Sequence, residues 1–346
     1  MTAGPGSGPG GSPLAVALSP ILSARYRGRD LDRIRAAAPN ARIVTVSVEG
    51  TADGPLDDVE VLLRGWLTAD AFDRLLNRAP RLTWVHSASA GVERALTPAV
   101  RERGIVVTNA RGVFSRPIAE YVMLMILAVS RRLPQLLELQ RERTWQPLEG
   151  VELRDVTVGI VGLGSIGRAV AGLASSFGCR VIATRRRAAD VPGADAGGPA
   201  EPAAPGADRV LGPEGLPELL AEADFVVLAA PLTPDTEGMI DDAALAAMKG
   251  DAWLVNIARG RLVDERALIR ALRDGTIGGA VLDAFRDEPL PESSPFYDLP
   301  NVIVTPHTSW SSGRVLDRSV ELFCDNLRRY AAGQPLLNVV DPDAGY

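Results

Sequence analysis

Residues 156–178, VTVGIVGLGSIGRAVAGLASSFG, constrain the fold more than any other stretch of this chain. A β-rich run ends at Val161, and Gly162, Gly164 and Gly167 then form a G-x-G-x-x-G pattern. A helix follows, with apolar positions at Ile166, Ala169, Val170, Leu173, Ala174 and Phe177. The glycines have separate duties: a tight turn, close approach of backbone to a pyrophosphate, and close packing of helix on strand. Ser165 and Ile166 open the helix, where free N–H groups and a partial positive charge suit phosphates. A second β-rich run, Arg180 to Thr184, follows at the spacing of a dinucleotide-binding βαβ unit. The competing reading is a Gly-rich turn in a sheet that binds nothing.

The residues after that second strand bear on the cofactor. An acid there bonds the ribose 2′-OH and repels a 2′-phosphate. This chain has Thr184, Arg185, Arg186 and Arg187, and its first acid is Asp190. Guanidinium groups bond phosphate bidentately, so the pattern favours NADP(H) over NAD(H). An ordinary arginine-rich surface turn is the duller alternative in a chain whose basic residues, Lys249 apart, are all arginine.

Similar alternation runs through the rest of the chain. Short apolar runs at LAVAL (from Leu14), RIVTV (from Arg42), EVLL (from Glu60), LTWV (from Leu82) and IVVT (from Ile105) alternate with helical stretches. These helices are expected at Gly28 to Ala38, Thr68 to Arg78 and Arg94 to Arg103. A long helix without internal glycine is expected from about Arg116 to Arg132, apolar on nearly every side and so buried between domains or against a second subunit. From Val156 onward the strand candidates are VTVGIV, CRVIAT, DRVL, DFVVLAA, AWLVNIA, GAVLDAF and NVIVT, and a last helix spans about Gly313 to Ala332. Strand–helix alternation implies parallel sheets covered on both faces, an α/β fold, and 346 residues suit two cores. The division expected is a leader over 1–13 without fixed structure, a substrate-binding domain of 14–112 with 311–346, and a dinucleotide-binding domain of 113–310. Residues 188–207, rich in Ala, Gly and Pro, read as a surface loop.

Several functions are disfavoured. A net charge of −6 suits neither nucleic acid nor an anionic membrane. A single lysine leaves little room for Schiff-base chemistry or a Walker-type loop. Two cysteines, Cys179 and Cys324, make no disulfide framework and no metal quartet, so no metal is expected. No signal peptide and no membrane-length apolar run is seen, and a cytoplasmic location follows.

Ligands of open α/β sheets lie beyond the carboxyl ends of the strands. Arg259 follows the strand AWLVNIA, His307 stands two residues beyond NVIVT, Asp283 is near the end of GAVLDAF, and Glu288 lies five residues further. A cation, an imidazole and a carboxylate suit reduction of a 2-oxo acid. That reaction needs a cation for the substrate carboxylate, a proton donor for the carbonyl oxygen and a group that keeps the donor protonated. Asp287 adjoins Glu288, and either could face the imidazole.

Seven stretches together resemble the D-isomer-specific 2-hydroxyacid dehydrogenases over about Val16 to Val340. They are SASAGVER (from Ser87), RPIAEYVMLMILAVSRRLP (from Arg116), VGIVGLGSIGR, LAAPLTPDTEGMI (from Leu228), WLVNIARGRLVDERALIRAL (from Trp253), VLDAFRDEPLP (from Val281) and LPNVIVTPHTSW (from Leu299). The resemblance implies two Rossmann-like or flavodoxin-like domains with the active site in the cleft between them, and a homodimer. It implies that Arg259 holds the substrate carboxylate and polarises its carbonyl. His307 would be the general acid in reduction and the base in oxidation, with Glu288, the acid before Pro289, as its partner. Asp283 would bond the nicotinamide carboxamide, and Pro231, Thr236 and Ala258 would join Gly162, Gly164, Ser165, Ile166, Gly167, Arg185 and Arg186 around the cofactor. Backbone N–H groups at Ser89, Ala90 and Gly91 would take the substrate carboxylate from the first domain.

Within this resemblance, Glu288 stands where formate-oxidising members carry Gln, and no lysine stands in the first domain as in phosphite-oxidising ones. A glyoxylate/hydroxypyruvate-type reductase is the nearest familiar class, while WVHSASAGVE also looks like members acting on larger 2-oxo acids. Trp66, Trp145 and Trp310 are candidate pocket walls, His86 a structural or rim residue, Glu120 a helix partner and Asp224 a helix–strand corner. The rival reading is an NAD(P)-sensing, corepressor-type protein on the same fold without turnover.

Overall fold

The computed structural model describes residues 13–21, 26–186 and 206–342. Most of the expected leader, and with it Arg187, Asp190 and nearly all of the 188–207 loop, lies outside the described residues. These residues form two compact units, one running to Phe114 and resuming at Ser312, the other from Ser115 to Ser311.

The first unit runs β1 (Ala15–Leu18), α1 (Gly28–Ala37), β2 (Arg42–Thr45), β3 (Val61–Arg64), α2 (Ala69–Arg78), β4 (Trp84–Ser87), α3 (Pro98–Glu102) and β5 (Val106–Thr108). All five strands are parallel, in the order β2-β1-β3-β4-β5, the flavodoxin-like arrangement. Alternate residues feed two cores. Ala15, Ala17, Leu62 and Val85 meet Phe72, Leu75 and Leu76 of α2. Val16, Leu18, Leu63 and Trp84 meet Ile34 of α1 and Val320, Phe323 and Leu327 of the C-terminal helix. Trp84, Phe72 and Phe323 are fully buried, each contributing about 1.5–3 kcal/mol. Helix α3 starts four residues later than the apolar pattern suggested. Thr97 Oγ1 accepts Val100 N–H and Pro98 takes the first helical position, a start that needs no earlier turn.

The second unit begins with α4 (Ser115–Ser130) and α5 (Leu133–Arg141), then β6 (Thr157–Val161), α6 (Ser165–Ser176), β7 (Arg180–Thr184), β8 (Arg209–Leu211), α7 (Leu216–Glu222), β9 (Phe225–Leu228), α8 (Asp242–Ala246), β10 (Trp253–Asn256), α9 (Glu265–Asp274), β11 (Gly279–Leu282) and β12 (Val302–Val304). The C-terminal helix of the first unit is α10 (Val315–Ala331). The seven parallel strands are ordered β12-β11-β10-β9-β6-β7-β8, so the order reverses at β6, the switch point where such sheets bind ligands. Asp264 caps α9 by accepting Arg266 and Ala267 N–H, and Gly275 ends it in the left-handed region. Helix α5 had no counterpart in the sequence reading, although Leu133, Leu136 and Leu137 follow helical spacing; none of its residues is buried. Among the described residues, no helix is long and apolar enough to cross a membrane.

Candidate active site

The glycine turn after β6 is built by contact as much as by conformation. Gly162 has φ +102°, and a Cβ there would lie 2.6 Å from Ala230 N. A Cβ on Gly167 would lie 2.2 Å from Gly162 O, so α6 can seat against the turn only without a side chain. At Gly164 nothing lies within 4 Å of that position, leaving an open approach. Gly164 caps α6 without a side-chain bond, and the first N–H groups of the helix, from Ser165 on, have no partner within it. These features fit a dinucleotide pyrophosphate.

Thr184 O accepts the N–H groups of both Gly162 and Leu163 (3.1 and 3.0 Å), which brings the end of β7 alongside the turn. Arg185 and Arg186 follow there, the first half-buried and the second exposed. On the other side of β6, Thr236 Oγ1 donates to Pro231 O (2.7 Å) and closes the loop after β9.

Arg259 and buried Ala258 lie beyond β10. Buried Asn256 shapes that loop: its Oδ1 accepts Ala258 N–H (3.1 Å) and its Nδ2 donates to Arg259 O (3.0 Å). The half-buried Arg259 side chain donates from Nη1 to Ala258 O (2.8 Å). Gly260 then touches the loop after β11, where a Cβ would lie 1.9 Å from Phe285 C. That second loop holds Glu288, whose Oε1 accepts Phe285 N–H (3.1 Å).

His307 and Glu288 meet: Nδ1 lies 2.9 and 2.8 Å from the two carboxylate oxygens. Burial pushes the Glu288 carboxyl up, but His307, the Phe285 N–H and the Arg259 charge outweigh it and hold the group below the usual carboxylate range. His307 has φ +48°, a left-handed backbone that a non-glycine residue holds only where neighbours enforce it. Asp283 does so. Its fully buried carboxylate accepts Thr305 Oγ1–H (2.6 Å), Thr308 N–H (2.8 Å) and Ser309 N–H (2.9 Å). Three of its roughly four acceptor positions therefore hold the His307 loop. Tyr121 of α4 bonds Thr305 Oγ1 in turn.

In the first unit, Ser87 Oγ, Ser89 Oγ and Gly91 O form a chain of bonds at 3.0 and 2.6 Å after β4. Ser89 O accepts Ala110 N–H and Ala90 O accepts Asn109 Nδ2–H, while Ala90 and Gly91 N–H donate to no acceptor among the described residues. His86 is not at a rim. It is fully buried beside Phe323, with Nδ1 2.8 Å from Thr108 Oγ1, and burial pushes it down to about 3.

Asn256, Thr305, Ser309 and Tyr121 escaped the sequence reading because each acts on backbone or through another side chain. The one available signal was the position of Asn256 within NIARG. Elsewhere, Glu120 pairs with Arg116 on an exposed helix face. Asp224 binds Lys249 and caps Thr157 N–H, and both cysteines are buried and free. Trp145 is fully exposed and Trp66 is 55 % exposed. Among the described residues no cluster of His, Cys, Asp or Glu could hold a metal.

Residues 123–309 match the sequence model of the D-isomer specific 2-hydroxyacid dehydrogenase NAD-binding domain. The chain is 33 % identical to a glyoxylate reductase of Korarchaeum cryptofilum over 91 % of its own length and 90 % of the relative's. It is 34 % identical to a D-3-phosphoglycerate dehydrogenase of Mycobacterium tuberculosis over 92 % of its own length, but spans only 54 % of that protein. A D-isomer specific 2-hydroxyacid dehydrogenase from Xanthobacter autotrophicus Py2, solved with NADPH and MES, superposes with a TM-score of 0.79 at 31 % identity. That superposition covers 97 % of this chain and all of the other. With its two parallel-sheet units, glycine turn and matching motifs, the chain belongs to the D-isomer specific 2-hydroxyacid dehydrogenase family, the oxidoreductases that carry an NAD-binding domain.

Proposed function

We propose that this protein is a D-2-hydroxyacid dehydrogenase working as a 2-oxo acid reductase in the cytoplasm, with His307 as its acid and base. The observation that carries this reading is the pairing of His307 Nδ1 with both oxygens of Glu288. It fixes the ring and leaves Nε2 for a substrate oxygen. When bound, the nicotinamide supplies or accepts the hydride at C2. Arg259 holds the substrate carboxylate and polarises the neighbouring carbonyl. In the first unit, Ser89, Ala90 and Gly91 offer backbone N–H groups to a substrate carboxylate, those of Ala90 and Gly91 having no acceptor among the described residues. Asp283 keeps one acceptor position on Oδ2 for a carboxamide N–H while its other bonds secure the His307 loop. Pyrophosphate binding falls to Gly162, Gly164, Ser165, Ile166 and Gly167, with Pro231, Thr236 and Ala258 lining the cofactor.

NADP(H) is the cofactor in this reading. Support comes from Arg185 and Arg186 where an acid would select NAD(H), and from the NADPH bound in the Xanthobacter relative. Residues 14–112 with 311–346 act as the substrate-binding domain and 113–310 as the dinucleotide-binding domain. A homodimer completes the proposal, supported by exposed Leu124, Leu133, Leu137 and Trp145 along α4, α5 and the segment after them.

Steady-state rates with glyoxylate, hydroxypyruvate, pyruvate and bulkier 2-oxo acids, each with NADPH and NADH, test the proposal. The expected result is turnover with at least one acid and a higher kcat/KM for NADPH, together with a His307→Gln variant that binds NADPH but loses about 100-fold or more in kcat. Absence of turnover with every acid would sink it, as would a His307→Gln variant of normal rate.

A further inference from the structure

Beyond α10, residues 338–340 run along β5. Val340 N–H donates to Val107 O (2.9 Å), Asn109 N–H donates to Asn338 O (3.1 Å), and Thr108 pairs with Val339 in an antiparallel bridge. The segment thus covers the free edge of the first unit's sheet, where β5 is outermost. Helix α10 anchors it through Asn326, which is fully buried. Asn326 accepts Leu337 N–H at Oδ1 (2.7 Å) and donates from Nδ2 to Leu337 O (3.0 Å). Asn338 is half-buried and has φ +56°, a left-handed backbone that few residues other than glycine hold and that Asn tolerates best. Its Nδ2 donates to Asn109 O (3.3 Å) and Arg111 O (3.0 Å). Strand pairing needs backbone bonds alone. The two side-chain bonds reach past β5 to the loop that follows it, and together with Asn338 O they grip both the N–H and the carbonyl of Asn109.

That loop in turn holds the turn after β4. Ala110 N–H donates to Ser89 O (3.0 Å), and Asn109 Nδ2 donates to Ala90 O (2.9 Å). Across a trans peptide the N–H points opposite to the carbonyl. Tying the Ser89 and Ala90 carbonyls to the loop therefore aims the N–H groups of Ala90 and Gly91 away from it. Those are the two N–H groups of the turn that have no acceptor among the described residues. A chain of contacts then runs from Asn326 through Leu337 and Asn338 to Asn109, and from Asn109 to the direction in which the turn presents its donors.

We infer that Asn338 is a positioning residue for substrate binding, acting through Asn109 to aim the Ala90 and Gly91 N–H groups at the substrate carboxylate. This inference rests on the reading that the turn takes that carboxylate. The carboxylate keeps its charge while the neighbouring carbon accepts hydride, so the turn binds ground state and transition state about equally. A misaimed turn then raises KM and leaves kcat nearly unchanged. A residue that merely stabilised the sheet edge would change neither.

Asn338→Gly tests this, because glycine takes the left-handed backbone freely and only the side-chain bonds are lost. With the 2-oxo acid that the wild type reduces best, KM is expected to rise about fivefold or more and kcat to stay within about twofold. Should the glycine variant fail to fold, Asn338→Asp tolerates the same backbone but sets an acceptor against both carbonyls, and its KM is expected to rise at least as far. Asn109→Ala should raise KM as well, and adding Asn338→Gly to it should raise KM little further. A lower Tm with a wild-type KM would make Asn338 a support of the fold alone. That result, or fully additive losses in the double variant, would overturn the inference while leaving the reductase reading intact. If no 2-oxo acid is reduced, the reductase reading fails, and calorimetric binding of oxamate to the NADPH-loaded protein decides for Asn338. Binding weakened about fivefold or more in Asn338→Gly supports the inference; equal binding, or none to the wild type, defeats it.

Discussion

Tyr121 Oη lies 2.6 Å from Thr305 Oγ1. The threonine hydroxyl donates its own proton to Asp283, so the tyrosine is the donor. Burial, the larger cause, and the Asp283 charge push the Tyr121 phenol up to about 12, and it keeps its proton throughout the working range. Helix α4 is thereby tied to the strand end that carries His307. Tyr121→Phe is expected to lower kcat about fivefold, the worth of one neutral hydrogen bond, with NADPH affinity within about twofold. Thr305→Val should do the same or worse, and the double variant should add nothing beyond Thr305→Val. Fully additive losses in kcat would show that the two hydroxyls do not act as one chain.

Glu288 is held ionised below the usual carboxylate range, so its contribution is present above its unfolded value, about 4.3, and fades only as pH falls through the lower folded value. An acid limb of activity seen above pH about 5 thus belongs to some other group. Glu288 also fixes the His307 ring through Nδ1, 2.8 Å away. In Glu288→Gln, kcat for reduction is expected to fall about tenfold or more, with NADPH affinity within about twofold. A Glu288→Gln variant of normal kcat would contradict the assigned partnership.

Gly260 abuts the peptide joining Phe285 and Arg286. Any Cβ there forces the Arg259 loop and the Glu288 loop apart, because backbone cannot yield as a flexible side chain can. Gly260→Ala is expected to reduce kcat/KM for the 2-oxo acid at least about tenfold. NADPH affinity should hold within about threefold, since the glycine turn lies on another strand. Unchanged turnover by the purified variant would show that the loops tolerate separation.

His86 is buried and pushed down to about 3, against an unfolded value near 6.5. The folded state excludes a proton that the unfolded chain takes up, so this group costs nothing above pH 6.5 and lowers stability progressively as pH falls towards 3. At pH 5 the loss is about 2 kcal/mol. Chemical denaturation at several pH values should therefore show a shallower decline between pH 6.5 and 4 in His86→Phe than in wild type. Parallel slopes would assign the acid sensitivity elsewhere.

Much of the architecture could be read from residue patterns because parallel strands buried on both faces leave continuous apolar runs. All twelve strands among the described residues coincide with runs visible in the sequence, from Ala15–Leu18 to Val302–Val304. Helix ends were less legible where turn chemistry overrode apolar spacing, as at Thr97–Pro98. In the site, motif residues on strand ends were visible as charged groups after apolar runs: Arg259, Glu288 and His307. Their supports were not. Asn256 and Thr305 work through backbone carbonyls and a shared carboxylate, and Tyr121 reaches Thr305 across 184 positions, a separation no local pattern encodes.

The interlock of Gly167 against Gly162 O has an energetic consequence for ligand capture. Helix and turn are jammed together by backbone atoms alone, so the cradle is already in its binding shape when a phosphate arrives. Ordering entropy, which a floppy loop would forfeit on association, was surrendered once, during folding. Tight cofactor retention can then come from a handful of N–H groups.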